Sequence, residues 1–207
     1  YGGGPGMIIQ YCPVKKAIDS LNQGKTIMLS PQGERLTQKK LSYLSNESNL
    51  NFICGRYEGV DQRIIDNLVD EEISIGDYVL SGGEIPAAAV IEGIVRLIPD
   101  IAENMSSIEN DSFSSYLLEY PQYTKPNLVD GLSVPDVLIS GNHSEVERWR
   151  RKHSLGVTML KRPDLLKNVN LSKEDDRLLQ EFIAEHQEKK SDSVSYTHLT
   201  LPTTRLV

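Results

Sequence analysis

The 207-residue sequence predicts an α/β domain built on a parallel sheet, followed by a small, mostly helical second domain. Two observations carry this. Short apolar runs closed by turn residues alternate with helix-length amphipathic segments, the pattern of strands joined by helical crossovers. The alternation then stops at a polar, aperiodic stretch, beyond which helical periodicity dominates.

In chain order, residues 14–21 fit a first helix. The run Thr26-Ile-Met-Leu-Ser30 reads as a buried strand closed by Pro31-Gln-Gly33. Residues 36–44 fit a helix, and Leu50-Asn-Phe-Ile-Cys54 a second strand ended by Gly55. Residues 59–68 fit a helix with Ile64, Ile65 and Leu68 on one face. Residues 71–75 and 77–80 alternate weakly, as two short strands, and stop at Ser81-Gly-Gly83. Pro86 then opens a helix over 87–97, since proline is tolerated in a first turn. From 100 to 115 Ser and Asn dominate without periodicity, which marks a linker. Beyond it, 134–139 reads as a short strand and Ser140-Gly-Asn142 as a turn. Ser144 with Glu147 three residues on carries a capping-box signature. The helix that follows sets Val146, Trp149 and His153 on one face and Arg148, Arg151 and Lys152 on another, facing outward. Ser172 caps a last helix striped by Leu178, Leu179, Phe182 and Ile183. The domain organisation expected is therefore 1–102, a flexible linker over 103–118, a helical domain over 119–190, and a non-native or disordered tail over 191–207.

Composition bounds the function. Hydrophobic residues at 39% and charged residues at 25% describe a globular chain. The two cysteines, Cys12 and Cys54, lie far apart, which excludes a disulfide framework and a Cys-based zinc site and points to the reducing cytoplasm. The longest apolar run, 85–98, carries Glu92 and Arg96, so no membrane span is expected. The sequence opens on Tyr1-Gly-Gly-Gly4 with neither a start Met nor a signal-peptide pattern, and a preceding segment is expected. Charge is uneven. Residues 1–115 hold 9 Lys and Arg against 16 Asp and Glu, whereas 116–207 hold 13 of each. Between His143 and Lys167 basic residues outnumber acidic ones by 7 to 3. Such a stretch has two readings, a surface for phosphates or a solvated helix face.

Three Gly-rich turns follow the apolar strands: Ser30-Pro-Gln-Gly33, Cys54-Gly-Arg-Tyr-Glu-Gly59 and Ser81-Gly-Gly-Glu84. Taken singly, each is ordinary turn chemistry. Taken together, they point to one pocket lined by backbone at the carboxyl ends of the strands. None has the Gly-Lys-Ser/Thr ending of a phosphate loop or the spacing of a dinucleotide fingerprint. Three charged residues invite both a structural and a chemical reading. Asp111 fits a solvated turn, Arg96 a helix C-terminus and Glu58 a helix N-terminus.

Several of these motifs, with Tyr1-Gly-Gly-Gly-Pro-Gly-Met7, the run of fifteen residues from Asp70 to Glu84, Ser140-Gly-Asn-His143 and Arg148-Trp-Arg-Arg151, resemble the bacterial tRNA (guanine-N1-)-methyltransferases. The resemblance covers about residues 1–190, in order and at compatible spacing. It implies a SPOUT fold, a parallel α/β sheet whose C-terminal part is threaded as a deep trefoil knot. It implies S-adenosylmethionine as methyl donor, held by the three turns. Ser30, Pro31 and Gly33 match the first, Gly55, Tyr57, Glu58 and Gly59 the second, and Ile75, Gly76, Tyr78, Leu80, Gly82, Gly83 and Pro86 the third. It implies a homodimer, a tRNA substrate methylated at position 37 beside the anticodon in support of reading-frame maintenance, and dependence on Mg²⁺, although no metal-ligand cluster is apparent by spacing. The family begins several dozen residues earlier, with a strand and helix expected to be missing here.

Guanine N1 is protonated at neutral pH, so methyl transfer needs a base and a positive group beside O6. Asp111 and Arg96 match the family's base and its supporting arginine. Glu58 and Glu119 match carboxylates that place the guanine or the cofactor, and Arg148, Arg151 and Lys152 are the expected phosphate contacts. The competing readings are a SPOUT methyltransferase with another RNA target and a catalytically inactive RNA-binding fragment of the same family.

Overall fold

A computed structural model describes residues 1, 4–99, 112–113 and 116–192. The chain divides into two compact units, Tyr1–Ile108 and Glu109–Val207.

The first unit contains α1 (Tyr11–Asp19), β1 (Lys25–Arg35), α2 (Gln38–Leu44), β2 (Leu50–Cys54), α3 (Gln62–Leu68), β3 (Glu71–Ser74) and α4 (Glu84–Val95). Its three strands form a parallel sheet in the order β2-β1-β3. The expectation of an α/β unit with a parallel sheet is met. β1 is central, so its first half is the most deeply buried stretch of the sheet, with Thr26, Ile27, Met28 and Leu29 all buried. Alternation sends Ile27 and Leu29 to one face. There they join Ile73 of β3, Leu44 of α2, and Ala87, Val90 and Ile94 of α4 in one core. Gly93 lets α4 approach α2 closely, because a Cβ there would lie 2.6 Å from Leu41 Cδ1. Thr37 caps α2 by accepting from Lys40 N at 3.2 Å. Asp61 caps α3 and also takes the Arg63 guanidinium, which holds its carboxyl at about 2.

The structure departs from expectation at two places in this unit. Pro31-Gln-Gly33 does not end β1. The strand runs on to Arg35, and Leu29 and Glu34 both lie opposite Ile73, so residues 30–33 form an excursion inside it. Apolarity stops at Leu29, but the backbone pairing does not. Residues 77–80 form no strand; they belong to a wide loop between β3 and α4.

The second unit holds a two-residue hairpin, β4 (Leu128–Val129) and β5 (Leu132–Ser133), then α5 (Asp136–Ile139), α6 (His143–Lys161), α7 (Pro163–Leu166) and α8 (Lys173–Asp192). The expected strand over 134–139 is instead the single turn α5. Pro135 precedes it with its φ fixed near the helical value, and the apolar run is too short for its period to decide. α6 starts earlier than the Ser144 signature implies. Asn142 is the cap and accepts from Glu145 N at 3.4 Å. The Ser172 cap of α8 is found as a reciprocal box: Ser172 Oγ accepts from Asp175 N, and an Asp175 oxygen accepts from Ser172 N.

α6 and α8 pack on each other. Gly156 makes this possible, since a Cβ there would lie 2.3 Å from Phe182 Cγ. Leu155, Leu178 and Leu117 form the buried centre. Leu117 falls within the span expected as a flexible linker, yet it is 2% exposed. Leu118 is tied to α6 on both sides, its N–H donating to Thr158 Oγ1 at 2.8 Å and its carbonyl accepting from Ser154 Oγ. Residues 103–111 and 114–115 of that linker and the tail beyond Asp192 lie outside the described residues.

The face of α6 expected to point outward points to α8. Arg148 donates to both carboxylate oxygens of Glu181, Arg151 grips Asp175, and Lys152 donates to Glu185 at 2.6 Å. The first turn of α8 is acidic, with Glu174, Asp175 and Asp176, and Glu181 and Glu185 continue the acidic side. The basic helix thus has its counter-charge within the unit.

Two stability predictions follow from this packing. A Cβ on Gly33 would come within 2.4 Å of the Ile73 amide nitrogen. Gly33→Ala must push β3 away from β1, and a loss of about 1–3 kcal/mol in denaturant melts is expected. Asp175 is held at about 2, first by Arg151 and then by Ser172, against burial. Its folded pKa is depressed, so its stabilisation is present above the unfolded value near 4 and is lost as pH falls toward 2. At most about 2 kcal/mol is at stake. Asp175→Ala should lower stability at pH 7 by that order and flatten the acid limb of a melting-temperature profile between pH 4 and 2.

Candidate functional site

β1, β2 and β3 reach the same level at Leu29, Cys54 and Ile73, which are register partners. The chain leaves each strand there as a loop, and the three loops enclose a cavity of about 470 Å³.

The first loop is the excursion in β1. Ser30 and Pro31 line the cavity, and Ser30 Oγ accepts from Gln32 N at 3.1 Å to round the turn. Gly33 does not line it and serves the close approach to β3 instead. The second loop follows β2. Tyr57 and Gly59 sit at φ 61° and 110°, the left-handed region, and this turns the loop sharply. Gly55, Tyr57, Glu58 and Gly59 all line the cavity. The segment before α1 is laced to this loop: Glu58 N donates to Met7 O at 3.0 Å and Ile9 N to Gly59 O at 2.9 Å. Gly6 rests directly on Glu58, where a Cβ would lie 2.5 Å from Cγ.

The third loop runs from β3 to α4. Ser74 Oγ accepts from Gly76 N and donates to Gly76 O, which fixes its start. Ile75, Gly76, Tyr78 and Leu80 line one wall. Gly82, Gly83 and Pro86 line the end at the start of α4. Gly83 N donates to Gly55 O at 2.9 Å, and a Cβ on Gly83 would lie 2.7 Å from Cys54 Cα. The second and third loops therefore touch through backbone. Arg56 Nε donates to Glu84 Oε1 at 2.8 Å across the same seam, which holds the Glu84 carboxyl below the usual range and raises Arg56. Burial, with a smaller contribution from Glu84, pushes the Cys54 thiol up and disfavours its thiolate. Arg56, Gln32 and Ser81 line the cavity as well. Sequence reasoning passed over them, although all three lie inside the turns it singled out.

The remaining candidates lie elsewhere. Arg96 is the exposed C-cap of α4, its N–H donating to Glu92 O. Twelve helical residues separate it from Gly83, about 18 Å along the axis. Asp111 lies outside the described residues. Glu119 belongs to the second unit, where its N–H donates to Ser112 Oγ at 3.0 Å and its carboxylate accepts from Gln122 Nε2. Arg148 and Arg151 keep 34% and 40% of their side chains exposed beside their carboxylate partners, whereas Lys152 keeps 10%. Among the described residues no group of three or more His, Cys, Asp or Glu could hold a metal ion, and no helix is long and apolar enough to cross a membrane.

Residues 1–168 match a family described as tRNA (Guanine-1)-methyltransferase TrmD. A tRNA (guanine-N(1)-)-methyltransferase of Shewanella piezotolerans is 52% identical over 188 residues, 88% of this chain and 76% of the relative. One from Vibrio vulnificus is 51% identical over 195 residues, 92% of this chain and 78% of the relative. One from Legionella pneumophila is 53% identical over 192 residues, 90% and 77% of the two chains. Likeness of this depth over most of both sequences means that the chain belongs to the tRNA (guanine-1)-methyltransferase family.

Proposed function

We propose that the chain transfers a methyl group from S-adenosylmethionine to N1 of guanine at position 37 of tRNA, as a homodimer. The observation that carries this reading is the cavity framed by backbone loops at the ends of three parallel strands, in a chain of this family. Its size is within the range of about 300–1,000 Å³ that small-molecule sites occupy. The donor set suits an adenosine. Glycines at 55, 82 and 83 keep the walls low, so that peptide N–H and C=O groups meet base edges, and Tyr57 and Tyr78 add ring faces. The return of the third loop onto Gly55 supports the trefoil arrangement that SPOUT proteins share.

When bound, S-adenosylmethionine supplies an electrophilic methyl group on a sulfonium. The protein's own residues prepare the acceptor. Asp111 takes the N1 proton, which leaves an anionic ring whose charge gathers on O6. Arg96 stands beside O6 and favours that anion. Glu58, on the cavity wall, and Glu119 accept from the guanine edge and hold N1 in line. Arg148 and Arg151 meet tRNA phosphates with the guanidinium edges that Glu181 and Asp175 leave exposed, while Lys152 is held by Glu185. The 18 Å between Arg96 and the start of α4 supports a dimer: an arginine so far from its own cavity serves the cavity of a second copy.

The direct test is transfer of labelled methyl from S-adenosylmethionine to a tRNA transcript carrying G37. Methylation at N1 of G37, lost when position 37 is adenine, is expected. RNA binding without any transfer would favour the catalytically inactive reading instead. Asp111→Ala should lower turnover by about 10²–10⁴-fold, the usual worth of a positioned base, with cofactor affinity unchanged by calorimetry. An equal loss of both would make Asp111 structural. Sedimentation should give a dimer, and a fully active monomer would remove Arg96 from the reaction.

A further inference from the structure

The second unit has a cavity of its own, about 230 Å³, bounded by residues 120–127, α5 and the start of α6. It is below the range of drug-sized ligand sites, about 300–1,000 Å³, and suits a single ring system. Its lining is unusual for a packing defect. Tyr120, Tyr123 and Trp149 supply ring faces, with Tyr123 and Trp149 centroids 6.3 Å apart and tilted by 58°. Tyr123 is 48% exposed, so the aromatic surface is open to a visitor. Trp149 is already stacked on His153 from one side, at 3.9 Å, which fixes its plane.

The polar groups are as particular as the rings. Arg150 lies over the Tyr120 ring at 5.0 Å and donates through Nη1 to Glu147, and its buried Nε–H has no acceptor among the described residues. Its side chain is 39% exposed and lines the cavity, so its guanidinium edge is open to an incoming carbonyl or ring nitrogen. Gln122 and Asn127 add amides that both donate and accept, and Lys125, which forms no ion pair among the described residues, adds a positive charge. Rings to stack on, an exposed guanidinium edge, amides for a base edge and an ammonium for a phosphate are the chemistry of an unpaired nucleotide.

We propose that this pocket takes one unstacked base of the RNA substrate, a contact separate from the guanine that is methylated. The idea rests on the tRNA reading above. The base stacks against Tyr123 and Trp149, accepts from the exposed guanidinium edge of Arg150, and its phosphate meets Lys125. The contact anchors the RNA on the second unit by stacking as well as by charge.

Trp149 is the one tryptophan of the sequence, so its fluorescence reports on this pocket alone. The probes are a tRNA transcript and a seven-nucleotide single-stranded RNA, titrated into the full chain at low and high salt. Quenching of Trp149 that persists at high salt is expected, with Tyr123→Ala weakening the affinity of both RNAs about 10-fold and Tyr123→Phe leaving it within two-fold, since the ring face and not the hydroxyl does the stacking. Circular dichroism of the variants separates lost stacking from lost folding, and quenching in the unaltered chain does not depend on either variant. RNA binding that leaves Trp149 emission unchanged overturns the proposal, as does a Tyr123→Phe loss equal to that of Tyr123→Ala. Quenching that follows protein concentration instead of RNA would assign the pocket to a second copy and also overturn it. Failure of the methylation assay with quenching intact would spare the pocket and reject the enzymatic reading, so the two fail separately.

Discussion

Leu29 holds its place between two neighbours at once, opposite Cys54 of β2 and Ile73 of β3, and it is 5% exposed. That double pairing sets the three strand ends at one height. Everything chemically interesting in the first unit is what the backbone does just past that height. β1 loops out and returns to pair again, β2 turns through left-handed residues, and β3 opens into a wide loop before α4. The core beneath supplies rigidity, and the loops supply approach distance, because glycines at 55 and 83 leave the backbone bare. A site of this design needs few special side chains.

The second unit works on a different principle. Its basic helix and acidic partner neutralise each other across their contact, through Arg148 with Glu181, Arg151 with Asp175 and Lys152 with Glu185. Exposed ion pairs of this kind contribute modestly to stability, while half-buried bidentate ones contribute more and fix geometry. The two arginines keep part of their guanidinium edges exposed beside these carboxylates.

Most of the fold was legible from apolar runs and turn residues, because buried parallel strands have little alternative to them. The loops of the cavity were legible for the same reason: a Gly-rich turn after a buried strand has a single place to go. What escaped was whatever depends on partners distant in sequence. β1 outlasts its apolar run because Glu34 finds Ile73 again, and no local signal at Pro31 announces that. Residues 134–139 are too few for a period, so Pro135 decided in favour of a helical turn. The outward face assigned to Arg148, Arg151 and Lys152 followed from charge. A basic face is solvated only if nothing acidic covers it, and the Glu and Asp of α8 do. Arg56 was overlooked because its value lies in reaching Glu84, twenty-eight positions away.

The bond from Gly83 N to Gly55 O, with Gly83 pressed on the Cα of Cys54, joins two loops that belong to different strands. The joint brings together loops that become neighbours only where β2 and β3 both pair with β1. A newly made chain that has its helices and even part of its sheet still has no cavity. The cavity is therefore complete only in the fully paired sheet, and a ligand that binds the finished cavity draws the chain toward its native state.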